Sequence, residues 1–403
     1  MKIIFWVSLI AIFYTYAGYP ALIGLLGWLR PRPWTSRPIT PGVSIVLAVH
    51  NGAARIERQI EHLLHLDYPK IEQIIVVSDG STDGTAELLA RRRDPRLTAV
   101  ILKEQAGKAA AVNAGMERAA AEVILFVDIR PEIAPGAIRS LVSNFADPRV
   151  GCVTGELILR QSTHDAASAA VSGLYWRYEK WIRSRESLCG SPVGVYGGFY
   201  AVRRALAVPQ PPGMILDDMF QPLAIIRQGY RSVLDPRAYV YDTWPAKIKD
   251  EFHRKVRTLA GNFQLFSLAP WTLSPRSPVF FQIVSHKLLR LAAPYFLLGL
   301  LISTLALAPG SFFFAGFGAL QLCGWMLAVA GLRYRIPALH RIAAPASALL
   351  ALEAAAVVGF YKFLFTRGPL WKIWNTDKPV AGAVPVAADD SAPPASFSSA
   401  TRK

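Results

Sequence analysis

From Ile3 to Leu29 the chain carries no Asp, Glu, Lys or Arg. Coiled as a helix, that run extends about 40 Å at 1.5 Å per residue, enough to cross a hydrocarbon core with some tilt. Near the other end, Leu291–Ala308 and Ser311–Leu332 are apolar and split by the turn signal Pro309-Gly310, and Ile342–Phe365 is interrupted only by Glu353 and Lys362. These blocks explain why 52% of the 403 residues are hydrophobic and only 18% charged, a split too oily for an ordinary soluble enzyme. We read four spans. A cleaved signal peptide fits the first block less well, because the run is long for one and lacks a clear small-x-small cleavage site. A re-entrant hairpin or a buried core helix is the rival for the C-terminal blocks.

Orientation follows the Lys and Arg residues flanking the spans. Arg30, Arg32 and Arg37 follow the first span, and Arg333, Arg335 and Arg341 separate the third from the fourth. Both clusters face the cytoplasm if the central block does. Arg367, Lys372 and Lys378 then fall on the opposite side, so a re-entrant fourth segment competes with a full span. The expected location is a cell membrane, multi-pass. The formal charge of +16 suits anionic headgroups or phosphorylated ligands. The basic residues are dispersed with no aromatic-plus-basic strip, which disfavours nucleic acid. Cys152, Cys189 and Cys323 are far apart and odd in number, excluding a disulfide framework or a Cys-rich zinc site.

Between the blocks the pattern alternates. Val43–Val49, Ile71–Val77, Val100–Leu102 and Val123–Val127 read as buried strands, and Arg55–Leu66, Thr82–Arg92 and Lys108–Ala121 as helices. Such alternation predicts an α/β domain with a mostly parallel sheet, whose ligands bind beyond the carboxyl ends of the strands. The polar residues collect there: His50 and Asn51 after the first strand, Asp79 to Asp83 after the second, Asp128 after the fourth. Neither G-x-G-x-x-G after the first strand nor G-x-x-x-x-G-K-[ST] is present, which disfavours dinucleotide dehydrogenases and P-loop enzymes. Each polar residue also has a plainer reading. Asp83 reads at least as well as a helix cap, Asp128 as a turn residue, and Trp176, Tyr178 and Trp181 as packing against sheet or lipid rather than lining an acceptor channel.

Six runs in order, SIVLAVHN (44–51), IIVVSDGSTDGT (74–85), GKAAAVNAG (107–115), ILFVDIR (124–130), ILDDM (215–219) and HRKVRTLAGN (253–262), resemble family-2 glycosyltransferases of the GT-A fold, in particular bacterial membrane-bound polysaccharide synthases. The resemblance covers roughly residues 40–270. It implies an α/β GT-A nucleotide-sugar-binding domain with flanking transmembrane helices. The expected division is a transmembrane helix at 1–30, a cytoplasmic catalytic domain at 40–245, an amphipathic interfacial segment with an Arg-rich motif at 246–285, about three transmembrane helices at 288–366 and a disordered tail at 379–403.

The resemblance also implies roles. Asp79 matches the acid that binds the base or ribose of the donor, His50 and Asn51 the wall of that pocket, and Lys108 the basic residue reaching toward nucleotide or diphosphate. Asp128 matches the first acid of the metal-binding Asp-x-Asp motif, for Mg²⁺ or Mn²⁺, but Arg130 stands where the second acid belongs. Direct contact of Arg130 with the diphosphate and a solvent-facing Arg130 are equal alternatives. Asp217-Asp218 matches the acidic pair, with Asp218 the catalytic base and an N-cap the alternative. Arg254 and Arg257 match the element that grips the diphosphate, with Thr258 in place of its Trp, which leaves processivity open. The implied activity is inverting transfer from a nucleotide-sugar, with a UDP-sugar favoured, to a growing glycan or lipid-linked acceptor in envelope or exopolysaccharide synthesis. The implied partners are membrane lipids and other polysaccharide-assembly proteins. A single-addition enzyme and a non-catalytic nucleotide-sugar-binding subunit are the alternatives.

Overall fold

The computed structural model describes residues 1–160, 166–243, 248–334 and 337–370. The tail expected at 379–403 lies outside the described residues, as do Arg335, Lys372 and Lys378. Eight strands form one sheet: β1 Val43–Val49, β2 Ile71–Asp79, β3 Leu97–Leu102, β4 Val123–Val127, β5 Glu132–Ile133, β6 Val150–Arg160, β7 Phe199–Arg203 and β8 Arg231–Thr243, in the order β3-β2-β1-β4-β7-β6-β8-β5. The first four are mutually parallel, as the strand–helix alternation predicts. β7 enters antiparallel between β4 and β6, and β8 returns parallel to β6. Two expected strands, β1 and β4, have the predicted bounds, while β3 begins three residues earlier, at Leu97.

The two faces of the sheet separate by the strand period of two. Ile45, Leu47, Ile74, Val76 and Leu125 pack in one core with the helix Ala53–Leu64, while Val46, Ile75, Val77, Ile124 and Phe126 pack in another with the helix Lys108–Arg118. Continuous apolar strands of this kind require cover on both sides. The functional ends of the strands are thereby fixed by a rigid centre.

Among the described residues, four helices are long and apolar enough to cross a membrane: Lys2–Leu29, Phe280–Gly310, Phe312–Arg333 and Ile342–Phe365. Large apolar side chains such as Ile3, Ile10, Leu320, Met326 and Ile342 face outward on them, as surfaces in lipid do. A long helix, Ala166–Cys189, joins this bundle to the sheet. Ile182 packs on Tyr19 and Ile23, Tyr178 Oη donates to the Tyr16 carbonyl at 3.0 Å, and Trp176 Nε1 donates to the Leu157 carbonyl at 3.4 Å. Trp176 and Tyr178 thus have packing roles on sheet and bundle.

Candidate active site

The loops after β1 and β2 are laced together. Asn51 holds a left-handed backbone at φ 51°, which Asn tolerates better than most residues. Its N–H donates to Ser81 Oγ at 3.1 Å and its Oδ1 accepts the Thr82 N–H at 2.8 Å. Asp83 accepts the Ala53 N–H at 2.9 Å and the Thr85 N–H at 3.1 Å, satisfying donors at the starts of two helices. Burial opposes its charge, but the bonds from Thr85 and Ala53 hold the carboxyl below its ordinary range. Asp83 is therefore a cap.

Asp79 is 3% exposed, and its two oxygens accept the N–H groups of Ala106 and Gly107, each at 2.8 Å. Gly80 follows at φ 56°, where a Cβ would lie 2.3 Å from the Gln105 nitrogen, so only glycine permits this approach. His50 Nδ1 meets the Asp79 carbonyl at 2.6 Å. Asp79 thus anchors the loop that ends at Gly107 and starts the helix carrying Lys108.

Lys108 joins what the sequence separates. Its Nζ lies 3.1 Å from Asp128 Oδ1 and 3.2 Å from Asp217 Oδ2. Burial would depress the ammonium, yet Asp128, Asp217 and Asp218 together hold its pKa above the ordinary lysine value. Asp217 and Asp218 open the helix Asp217–Arg227, where the unsatisfied N–H groups favour negative charge. Burial and the Asp217 carboxylate push Asp218 up to about 6, against the pull of Lys108, Arg183 and Lys287. A carboxyl held there can exchange a proton near neutrality.

Arg130 pairs with the buried Asp242, at 3.2 Å, where β8 ends. Neither expected alternative, diphosphate contact or a solvent-facing side chain, included this ion pair. Tyr196 lies among these groups: burial, then Asp128 and Asp242, raise its pKa, while Arg130 and Arg254 oppose. Arg254 and Arg257 lie exposed on the helix Ile248–Leu268, and Thr258 Oγ1 donates to the Arg254 carbonyl at 3.0 Å. Among the described residues no three His, Cys, Asp or Glu side chains converge as a metal cluster.

The sequence reading missed Asp242, Tyr196 and Gly197. Gly197 lies against Asp218: a Cβ there would be 3.0 Å from Asp218 Cβ and 3.2 Å from its Oδ2. The Gly197-Gly198 pair was the available signal. Asp242 had none, since the antiparallel pairing of β5 with the end of β8 brings it to Arg130. A wider cleft of about 720 Å³, lined by Thr40, Lys70, Glu72, Glu122 and Arg204, lies at the amino ends of β1 and β4, the wrong end of the sheet for ligand chemistry.

A mostly parallel sheet with acids and a lysine gathered at its carboxyl ends, ahead of an acidic pair on a helix start, defines the GT-A class of glycosyltransferase. Residues 44–208 match the model of glycosyl transferase family 2. Poly-beta-1,6-N-acetyl-D-glucosamine synthase of Staphylococcus aureus (strain COL) is 26% identical over 242 residues, 59% of this chain and 58% of that protein. The synthase of the same name from Staphylococcus epidermidis is 24% identical over 237 residues, 57% of each. The matched region thus spans less than two thirds of these relatives' length. The mannosyltransferase PcManGT from Pyrobaculum calidifontis, solved with GDP-Man and Mn²⁺, shares the fold with a TM-score of 0.70 and 24% identity, over 90% of this chain and 99% of that one.

Proposed function

We propose that this protein transfers a sugar, with inversion, from a nucleotide diphosphate donor to a hydroxyl of a growing glycan or lipid-linked acceptor, in envelope or exopolysaccharide synthesis. The observation that carries the reading is Asp218: a carboxyl raised to about 6 beside a lysine that bridges Asp128 and Asp217. Asp218 takes the acceptor proton as the acceptor oxygen bonds to the anomeric carbon. The bond from that carbon to the phosphate oxygen breaks, and the nucleoside diphosphate leaves with the electron pair. Lys108 and the exposed Arg254 and Arg257 supply positive charge for that leaving group. Around the nucleoside, His50, Asn51 and Asp79 form the pocket wall, with Asp79 also fixing the loop before Lys108.

Asp128 is 38% exposed at the mouth of this site. A single accessible carboxylate fits a hard divalent cation that takes its remaining ligands from diphosphate oxygens and water. Bound there, Mg²⁺ or Mn²⁺ would supply Lewis-acid charge to the diphosphate. The synthase names point to N-acetylglucosamine polymer and the solved mannosyltransferase to GDP-mannose and Mn²⁺; a UDP-sugar is the first donor to test. The catalytic domain is assigned to the cytoplasmic face, in line with Arg30, Arg32 and Arg37 after the first span.

The test is release of nucleoside diphosphate by purified protein in lipid, offered a panel of nucleotide sugars with Mg²⁺, Mn²⁺ or EDTA, beside Asp218→Asn. Turnover with one donor, lost in the variant, supports the reading. Donor binding without turnover, even with crude lipid acceptors added, would replace it with a non-catalytic subunit, the alternative that Arg130 in the Asp-Ile-Arg motif favours.

A further inference from the structure

A second, smaller cleft opens on Asp218. Arg183, Thr258, His286 and Lys287 line it, with Leu216 on its apolar wall. Lys108 and Asp128 do not line it; Lys108 reaches the acidic pair through Asp217. The base therefore has a donor approach and a separate approach through this cleft.

The charged groups around the cleft are paired unevenly. Glu186 accepts from Tyr19 Oη at 2.6 Å and meets His286 Nδ1 at 2.7 Å. Glu179 meets His286 Nε2 at 3.2 Å and pairs with Arg290. Burial alone would raise both carboxyls, yet Arg290 and His286 hold Glu179, and His286 holds Glu186, below their ordinary range. These two carboxylates are thus committed to His286 and Arg290. Among the described residues, neither Arg183 nor Lys287 has a carboxylate partner within ion-pair distance, although both are partly buried. The Arg183 guanidinium instead covers the Trp176 ring at 5.5 Å. Both cations act on Asp218, and Glu179 and Glu186 act on Lys287, but none of these carboxylates lies within ion-pair distance of either cation. A phosphate suits the pair, since guanidinium binds its oxygens in a fork and ammonium supplies a point charge.

The cleft also lies at a membrane boundary. His286 and Lys287 belong to the first turns of the apolar helix Phe280–Gly310, whose Phe281 and Leu288 are exposed at 41% and 36%. A ligand with its phosphate between Arg183 and Lys287 could lay an apolar tail along this flank.

We propose that Arg183 and Lys287 bind the phosphate of a lipid-linked acceptor and so bring its hydroxyl to Asp218. This rests on the transferase reading above. The two are separable, because donor and acceptor sites are probed by different ligands. The probes are farnesyl phosphate, farnesol, inorganic phosphate and UDP, titrated by equilibrium binding against the full-length protein in phosphatidylcholine nanodiscs. Farnesyl phosphate should bind at least about tenfold more tightly than farnesol or inorganic phosphate, and UDP should not displace it. Arg183→Gln and Lys287→Gln should each weaken it about tenfold, while Arg183→Lys and Lys287→Arg recover most of the affinity. Retained UDP binding in the Gln variants would show that they remain folded. Equal binding of farnesol would remove the anion site, and equal binding of inorganic phosphate would remove the lipid. Displacement by UDP would give the cleft to the donor, and unchanged binding in the Gln variants would exclude the two residues. Binding of farnesyl phosphate without any binding of UDP would uphold the cleft and overturn the donor site instead.

Discussion

Arg130 Nη2 meets Asp242 Oδ2 at 3.2 Å, joining the loop after β4 to the end of β8. The pair places an acid next to the motif that lacks its second Asp in sequence. Arg130→Asp would restore a carboxylate two residues from Asp128 and remove the cation that holds Asp242. The expected outcome is a lower Mn²⁺ or Mg²⁺ concentration for half-maximal turnover, measured by metal titration. An unchanged or higher requirement would argue against Asp128 as a metal ligand.

Asp218→Asn removes the proton acceptor and keeps the shape. General-base catalysis contributes roughly 10²–10⁴-fold, so kcat should fall in that range. Donor affinity, measured separately by calorimetry, should stay near the wild-type value. A variant with most of its activity would point to another base.

The pH profile follows from the same residue. Asp218 must be ionised to accept a proton, and its pKa lies at about 6. kcat/KM should therefore rise with pH up to about 6 and level off above it, falling about tenfold per unit on the acid side. Asp217→Asn removes a carboxylate that raises this pKa, so the acid limb should move to lower pH. A shift upward would contradict the assignment.

Gly197→Ala puts a methyl group 3.0 Å from Asp218 Cβ. The carboxyl must move by a few tenths of an ångström, and misplacement by 1 Å can cost about 10²-fold. We expect kcat to drop about tenfold with little change in melting temperature. Loss of folding instead would mean that the glycine serves the loop rather than the base.

Asp79→Asn leaves one backbone N–H facing an amide NH₂ in place of an acceptor. An unsatisfied buried donor costs about 1–3 kcal/mol, and the loop before Lys108 loses its anchor. A lower melting temperature and weaker nucleotide binding are expected together. Weaker binding at unchanged stability would favour a direct donor contact over anchoring.

The local pattern determined much of this molecule. Long apolar runs marked four helices, among the described residues, able to span a membrane, and β1 and β4 could be bounded because a strand buried on both faces needs consecutive apolar residues. The glycines and acids at the strand ends carried the family-2 motifs in order. Tertiary structure decided the pairings among those residues. Asp83 is a cap and Asp79 a loop anchor because the β1 and β2 loops lie side by side. Lys108 bridges Asp128 and Asp217 because its helix starts beside both. Arg130 finds Asp242 because β5, which begins two residues later, crosses to pair antiparallel with the end of β8, Glu132 opposite Tyr241. Residue type and spacing along the chain report burial and local conformation, whereas an ion pair depends on where distant segments stop in space. That is set by the strand order and by packing around the rigid centre of the sheet.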